Sequence, residues 1–255
     1  MAKIYITGDT HIPYDIIKLL PENFLEGESL TEDDFVIVAG DFGLIWDYRG
    51  ENEIEKKWKT WLNERPWTTL FVDGNHENFT RLNAYPVSEW HGGKIHKISD
   101  KIIHLMRGQV FEIDGKKIFT FGGGMSVDRG TFLGTEDLDR GRSWWDEELP
   151  TLDETAEGWE NLAKHNNKVD FVITHDLPEK ELIGLGIRDR RNYYKCYLNT
   201  HLDDIRREIK FTHWYSGHYH EDVTLSPTQT ILYNNVIELG DMILPPKLKS
   251  KKERR

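Results

Sequence analysis

The sequence has one cysteine, Cys196, in 255 residues. An intrachain disulfide is therefore impossible, and a structural zinc site built from several thiolates is excluded. No run approaches the roughly 20 apolar residues that a membrane-spanning helix needs. The first residues, Met1-Ala2-Lys3-Ile4-Tyr5-Ile6, enter a strand-like segment without the apolar core and cleavage site of a secretory leader. Positive charge is scarce: 33 Lys and Arg against 44 Asp and Glu leave a net charge of -11. Nucleic acid backbones are held by clustered Lys and Arg, so a general nucleic-acid surface is disfavoured. No repeat with a period of roughly 20–50 residues occurs, which removes solenoids and propellers. No low-complexity linker divides the chain. These absences describe a cytoplasmic protein without a membrane partner. It is expected to form one domain over residues 1–245, with a basic tail at 246–255. The tail carries Lys247, Lys249, Lys251, Lys252, Arg254 and Arg255. It reads as a solvated terminus first and an anion-binding segment second. Oligomeric state is not legible at this level.

What is present is a recurring unit: a short apolar run that stops at small or polar residues. Residues 3–7 lead into Gly8-Asp9-Thr10-His11, Phe35-Val36-Ile37-Val38-Ala39 into Gly40-Asp41, and Thr69-Leu70-Phe71-Val72 into Asp73-Gly74-Asn75-His76-Glu77. Later, Asp170-Phe171-Val172-Ile173 leads into Thr174-His175-Asp176, and Trp214-Tyr215-Ser216 into Gly217-His218-Tyr219-His220. Short runs rich in β-branched and aromatic residues, ended by glycine, predict buried strands. Residues 51–64 set Ile54, Trp58, Trp61 and Leu62 on one helical face. Residues 203–210 predict another helix, with Ile205 and Ile209 on one side. Alternating strands and helices predict parallel pairing in the first half. In the middle, residues 102–105, 109–113 and 117–121 crowd together, with a hairpin turn at Asp114-Gly115. Residues 222–225 and 230–236 predict a second antiparallel group. The expected fold class is mixed α/β with two sheets.

The strand ends carry the chemistry. In open α/β sheets, ligands bind beyond the carboxyl ends of the strands. There the sequence offers Asp9, His11, Asp41, Asn75, His76, His175, His218 and His220. Imidazole, carboxylate and amide oxygen without thiolate suit divalent Mn, Fe, Zn, Ni or Co, with manganese placed first. With His76 set aside and one carboxylate bridging, the other seven give each of two cations four protein ligands and room for water. Paired cations roughly 3.5–4 Å apart activate water for phosphoester hydrolysis. Two divalent cations, two Asp carboxylates and a bridging hydroxide leave a local charge of about +1, which attracts a phosphate whatever the global charge.

In order and context these residues resemble the calcineurin-like metallophosphoesterases. The resemblance rests on Asp9-Thr10-His11, Gly40-Asp41, Gly74-Asn75-His76-Glu77, His175 and Gly217-His218-Tyr219-His220, and covers roughly residues 1–240. It implies a four-layer α/β/β/α sandwich of two mixed sheets flanked by helices. It implies that Asp9, His11, Asp41 and His220 hold one metal ion and that Asp41, Asn75, His175 and His218 hold the other, Asp41 bridging. It implies that His76 contacts the phosphate and protonates the leaving oxygen, oriented by Asp41 or Glu77. The catalytic pair is then His76 and Asp41, and a phosphomonoester or phosphodiester is the substrate. The protein Ser/Thr phosphatase branch fits less well. That branch has Gly after the first His and Asp-Arg-Gly soon after the second Asp, whereas this chain has Ile12-Pro13 and Phe42-Gly43-Leu44. Ser143-Trp144-Trp145 instead resembles a smaller bacterial and phage-type subgroup.

An insert at residues 125–150 is long and largely aperiodic, as functional loops tend to be. It holds Arg129, Arg140, Arg142, Trp144 and Trp145, read as substrate contacts: Arg on the phosphate and Trp stacked on a base or sugar. A surface excursion with tryptophans plugging the core is the equal alternative. His213 is watched because it precedes the Gly217 motif. Gly122-Gly123-Gly124 lacks the Lys-Ser/Thr of a P-loop and predicts close backbone approach. Two rival functions remain: a nuclease, for which nucleic acid is only a substrate, and a catalytically silent binding scaffold.

Overall fold

The central strands are buried on both faces, because each lies between a layer of helices and the opposite sheet. A computed structural model of the chain describes residues 1–126, 128–129, 139–184 and 196–243. The basic tail at 246–255 and residues 130–138 of the insert lie outside the described residues. Strands β1 (Ile4–Thr7), β2 (Phe35–Ala39), β3 (Thr68–Val72), β4 (Val87–Trp90), β5 (Gly93–Ser99), β6 (Ile102–Leu105) and, from the far end of the chain, β13 (Ile237–Glu238) form one sheet. Its order is β13-β1-β2-β3-β6-β5-β4. β1, β2, β3 and β6 are mutually parallel, and the antiparallel strands sit at the edges. The second sheet runs β11 (Val223–Ser226), β12 (Gln229–Ile231), β10 (His213–Ser216), β9 (Phe171–Thr174), β8 (Lys116–Phe121) and β7 (Gln109–Ile113). Its four middle strands are parallel as well.

Side chains at alternate positions divide between layers, as a period of two requires. Ile4, Ile6, Ile37, Leu70 and Val72 face Ile118, Phe171, Ile173 and Tyr215 of the other sheet in one shared core. On the outer face of the first sheet, Tyr5, Val36, Val38 and Phe71 pack with Leu62 of helix α1 (Glu53–Asn63) and with Ile16, Leu19 and Phe24. On the outer face of the second, Phe119, Phe121, Val172 and Trp214 meet α3 (Leu152–Lys164) through Leu162 and α5 (Tyr197–Glu208) through Leu198, Leu202 and Ile205. Two short helices, α2 (Phe79–Leu82) and α4 (Glu179–Gly184), are also present among the described residues. The result is the helix/sheet/sheet/helix sandwich that the motifs imply.

Several local expectations change. Residues 102–105 do not join the neighbouring hairpin: β6 pairs parallel with β3, while β7 and β8 form their hairpin in the other sheet. The strand expected at 230–236 stops at Ile231, because it pairs parallel with β10 and residues 232–236 cross to the first sheet. The helix expected at 203–210 starts at Tyr197 and ends at Glu208, with Leu198 and Leu202 carrying the buried face and Ile209 as its cap. α3 packs through Leu162 and Trp159 and, in close approach, through Gly158 against Gly108. On α1, Ile54 is 50% exposed and Glu55 takes the inward position. The Glu55 carboxylate accepts from the backbone N–H groups of Trp46 and Asp47 at 2.7 and 2.8 Å and pairs with Arg81 at 2.8 Å.

Candidate metal centre

The carboxyl ends of β1, β2 and β3 in one sheet and of β9 and β10 in the other converge on one rim. Close approach there demands glycine. At Gly40 φ is +91° and a Cβ would lie 2.2 Å from His175 Nδ1; at Gly74 a Cβ would lie 2.1 Å from Asp41 Oδ1. The residues packed into that space have strained backbones. His11, Asp41, His218 and His220 have φ of +32°, +47°, +69° and +51°. Non-glycine residues rarely adopt this region, and when they do they concentrate at functional sites.

Asp41 occupies the middle. Its Oδ2 is 3.2 Å from His11 Nε2, and its Oδ1 is 3.3 Å from His175 Nε2. The His76 backbone N–H donates to the same Oδ1 at 2.7 Å. His175 Nδ1 donates to the Ala39 carbonyl at 2.9 Å, so Nε2 faces inward, 3.2 Å from Asn75 Oδ1. Such a hydrogen bond fixes the tautomer and leaves the other nitrogen for a cation. His11 is held the same way: Nδ1 donates to Asp15 Oδ2 at 2.8 Å. Asp9 is fully buried. Its Oδ1 accepts from the His218 backbone N–H at 2.9 Å, while Oδ2 lies 3.2 Å from His220 Nε2 without a hydrogen bond of proper geometry. A buried carboxylate oxygen left in that condition is costly unless a cation sits beside it.

Ligand atoms gather in overlapping groups: Asp9 with His11 and His220, His11 with Asp41 and His76, and Asp41 with His175 and His218, each within 4.8 Å. The donor set is carboxylate, imidazole and amide, which fits divalent transition metals. Electrostatics agree. Burial pushes the Asp9 and Asp41 carboxyls upward, but the surrounding imidazoles outweigh it and hold both below the ordinary carboxylate range. Burial depresses His11 and His175, yet Asp41 draws them up to about 9 and about 10. Burial lowers His218, with His175 adding to the effect.

Among the described residues, the ring of His76 has no hydrogen bond to a carboxylate. Glu77 is turned away, accepting from the Phe42 backbone N–H at 2.7 Å, and burial drives its carboxyl well above the usual range. Aromatic neighbours hold His76 instead: the Trp46 and His11 ring centroids lie 5.4 and 5.3 Å away. Glu77 therefore does not orient the ring, whereas Asp41 holds His76 through its backbone N–H and Trp46 packs against the ring. Sequence reasoning also missed Asp15, Lys18 and Tyr233. The Lys18 ammonium donates to the Asp9 carbonyl at 2.6 Å and to the Tyr233 carbonyl, and the Tyr233 ring stacks on His220 at 4.5 Å. Asp15, four residues after His11, was the one findable from spacing.

The insert residues divide. Trp144 is only 8% exposed, packed with the guanidiniums of Arg129 and Arg140 at 5.0 and 5.9 Å, and its burial rules it out as a stacking surface. Arg129 donates to the Trp145 carbonyl at 3.2 Å, and Arg140 pairs with Asp146. These three brace the insert, as does buried Glu148, which accepts from the backbone N–H groups of Ser126 and Trp145 at 3.0 Å each. Only Arg142 stands free of them, against Tyr48. His213 is a core residue, 2.9 Å from Thr230 Oγ1. Gly124 lies against the His175 ring, as its close-approach reading requires.

A family model described as calcineurin-like phosphoesterase matches residues 2–222. The chain belongs to that family. It is a family of metal-dependent phosphoester hydrolases, and the convergent carboxylates and imidazoles of this phosphoesterase suit a metal ion. No curated protein matches the chain. Among solved structures it is similar to GAP50, titled the anchor in the inner membrane complex of Plasmodium, at 11% identity. That alignment covers 91% of this chain and 71% of the other with a TM-score of 0.44, too slight a likeness to argue from. Among the described residues, no helix of this phosphoesterase is long and apolar enough to cross a membrane.

Proposed function

We propose that this phosphoesterase hydrolyses a phosphomonoester or phosphodiester with two divalent cations, manganese first among the candidates. The observation that carries the reading is Asp41, whose two carboxylate oxygens lie 3.2 and 3.3 Å from imidazoles of different ligand groups. Asp9, His11, Asp41 and His220 would hold one cation, and Asp41, Asn75, His175 and His218 the other. Bound there, paired divalent cations supply an acidified water and a clamp on the phosphate oxygens. The protein contributes positioning. Asp15 and the Ala39 carbonyl fix the tautomers of His11 and His175, so their Nε2 atoms face inward. His76, half-buried and packed on Trp46, is left to hydrogen-bond the phosphate and protonate the departing oxygen.

Two variants test the division of roles. His76→Ala should keep its metal content and lose about 10²–10⁴-fold in turnover, the usual range for a lost general acid. Asp41→Ala should lose metal as well as activity. Metal analysis and hydrolysis of aryl phosphates and aryl phosphodiesters with manganese read both. Equal metal loss in the two variants would contradict the proposed roles.

A further inference from the structure

Past His76 the next ring is Trp46, and Trp46 lines a groove of 390 Å³ between the loop after β2 and residues 139–143. Small-molecule sites span about 300–1,000 Å³. Tyr48 stands in this groove, 50% exposed. The Arg142 guanidinium lies over its ring at 4.7 Å and that of Arg49 at 5.4 Å. The two cations differ. Arg49 is bound by Asp47 through two bonds of 3.2 and 3.1 Å. Among the described residues, the Arg142 guanidinium contacts the Tyr48 ring and, at 3.5 Å, the Tyr48 hydroxyl, with no carboxylate paired to it. With Asp47 and Asp139 also on the wall, two arginines meet two aspartates and the groove is near neutral. That balance disfavours a second phosphate. It suits an uncharged planar ring whose acceptor atoms a guanidinium can reach.

We propose that the groove receives the leaving group of the substrate and that this leaving group is a nucleoside. The base would pack against Tyr48 and Trp46, with Arg142 on an acceptor atom of the base. The proposal rests on the phosphoesterase reading, because a group departing past His76 meets Trp46 first. In the reaction, water oxygen forms the new bond to phosphorus. The bond from phosphorus to the nucleoside oxygen breaks with its electron pair on that oxygen. His76 protonates it and regains a proton from the attacking water.

The test uses the full-length, manganese-loaded protein with Tyr48→Ala and Arg142→Met. Hydrolysis of nucleoside monophosphates is compared with that of glycerol 2-phosphate. Each variant should lower kcat/KM for the nucleoside substrates about tenfold, the range of a lost base-stacking contact, with glycerol phosphate hydrolysis and metal content unchanged. Equal losses on both substrates, or no loss on either, overturn the groove assignment. Calorimetric titration with adenosine separates the two ideas. If the wild type hydrolyses nothing yet binds adenosine, and both variants lose that binding, the groove stands and the esterase reading falls. If the wild type binds no adenosine and prefers glycerol phosphate, the groove assignment falls and the esterase reading stands.

Discussion

A methyl group at residue 40 has nowhere to go, since it would overlap the His175 imidazole at a backbone angle that disfavours any side chain. Gly40→Ala is therefore expected to lose metal from the His175 group while both sheets still form, which metal analysis beside circular dichroism would reveal. Lys18 acts from outside the ligand set. Its buried ammonium, its pKa pushed down to about 8 by burial, ties the Asp9 carbonyl to the loop bearing Tyr233. Hydrogen bonds to charged groups contribute about 1.5–3 kcal/mol. Lys18→Met should weaken manganese binding about tenfold in calorimetry, and an unchanged affinity would deny it a positioning role. The rim residues themselves were legible in the sequence because each follows an apolar run at a short offset. Lys18 and Tyr233 were not, because 215 residues separate them and neither lies in a motif.

At the scale of elements, α1 holds more than its own layer. Asn52 and Glu55 form a capping box at its start, and the same Glu55 carboxylate fastens the loop carrying Trp46. The helix was visible in its periodicity, but the sequence put Ile54 inward where Glu55 is found. The reason is tertiary: Arg81, 26 residues on, supplies the partner that makes a buried carboxylate tolerable. Glu55→Ala would leave Arg81 unpaired and release the Trp46 loop. It should cost about 3 kcal/mol in denaturant unfolding. It should also slow turnover without loss of metal, because it disturbs the packing under His76 and leaves the ligands intact. Metal loss equal to that of Asp41→Ala would refute this separation. The insert behaves similarly. Arg129 and Arg140 were noticed, but their use as internal bracing depends on Asp146 and Glu148 meeting them in space.

For the molecule as a whole, charge and metal are linked to pH in two opposite senses. In the metal-free fold, His11 and His175 are raised to about 9 and about 10, so both carry protons near neutrality. A cation needs them neutral, so binding must expel protons and affinity should rise as pH climbs from 7 toward 9. Manganese titrations in buffers of different ionisation enthalpy would measure that release, and none at pH 7.5 would contradict the site chemistry. Without metal, the stability these two histidines lend is fully present below their ordinary value of 6.5 and is lost as pH rises through about 9–10. Asp73 works the other way. Burial raises it, but Arg107 and His104 outweigh that and hold it below its ordinary 3.8. Its stabilisation is present above that value and lost as pH falls through the depressed one. Arg107→Met leaves a buried carboxylate exposed to desolvation and should cost about 3–5 kcal/mol, with the acid limb of the stability profile moved to higher pH.

The sequence by itself determined the buried strand runs and the chemical identity of the rim, because apolar runs and the motifs that end them are local. Tertiary structure alone decided which sheet each strand joins, since β6 and β7 are neighbours in sequence and part company in space. It also decided what holds the rim residues in place. Lys18 meets Tyr233 between loops from opposite ends of the chain and Trp46 meets the His76 ring across the rim, and such contacts leave no periodic trace in the residues that make them.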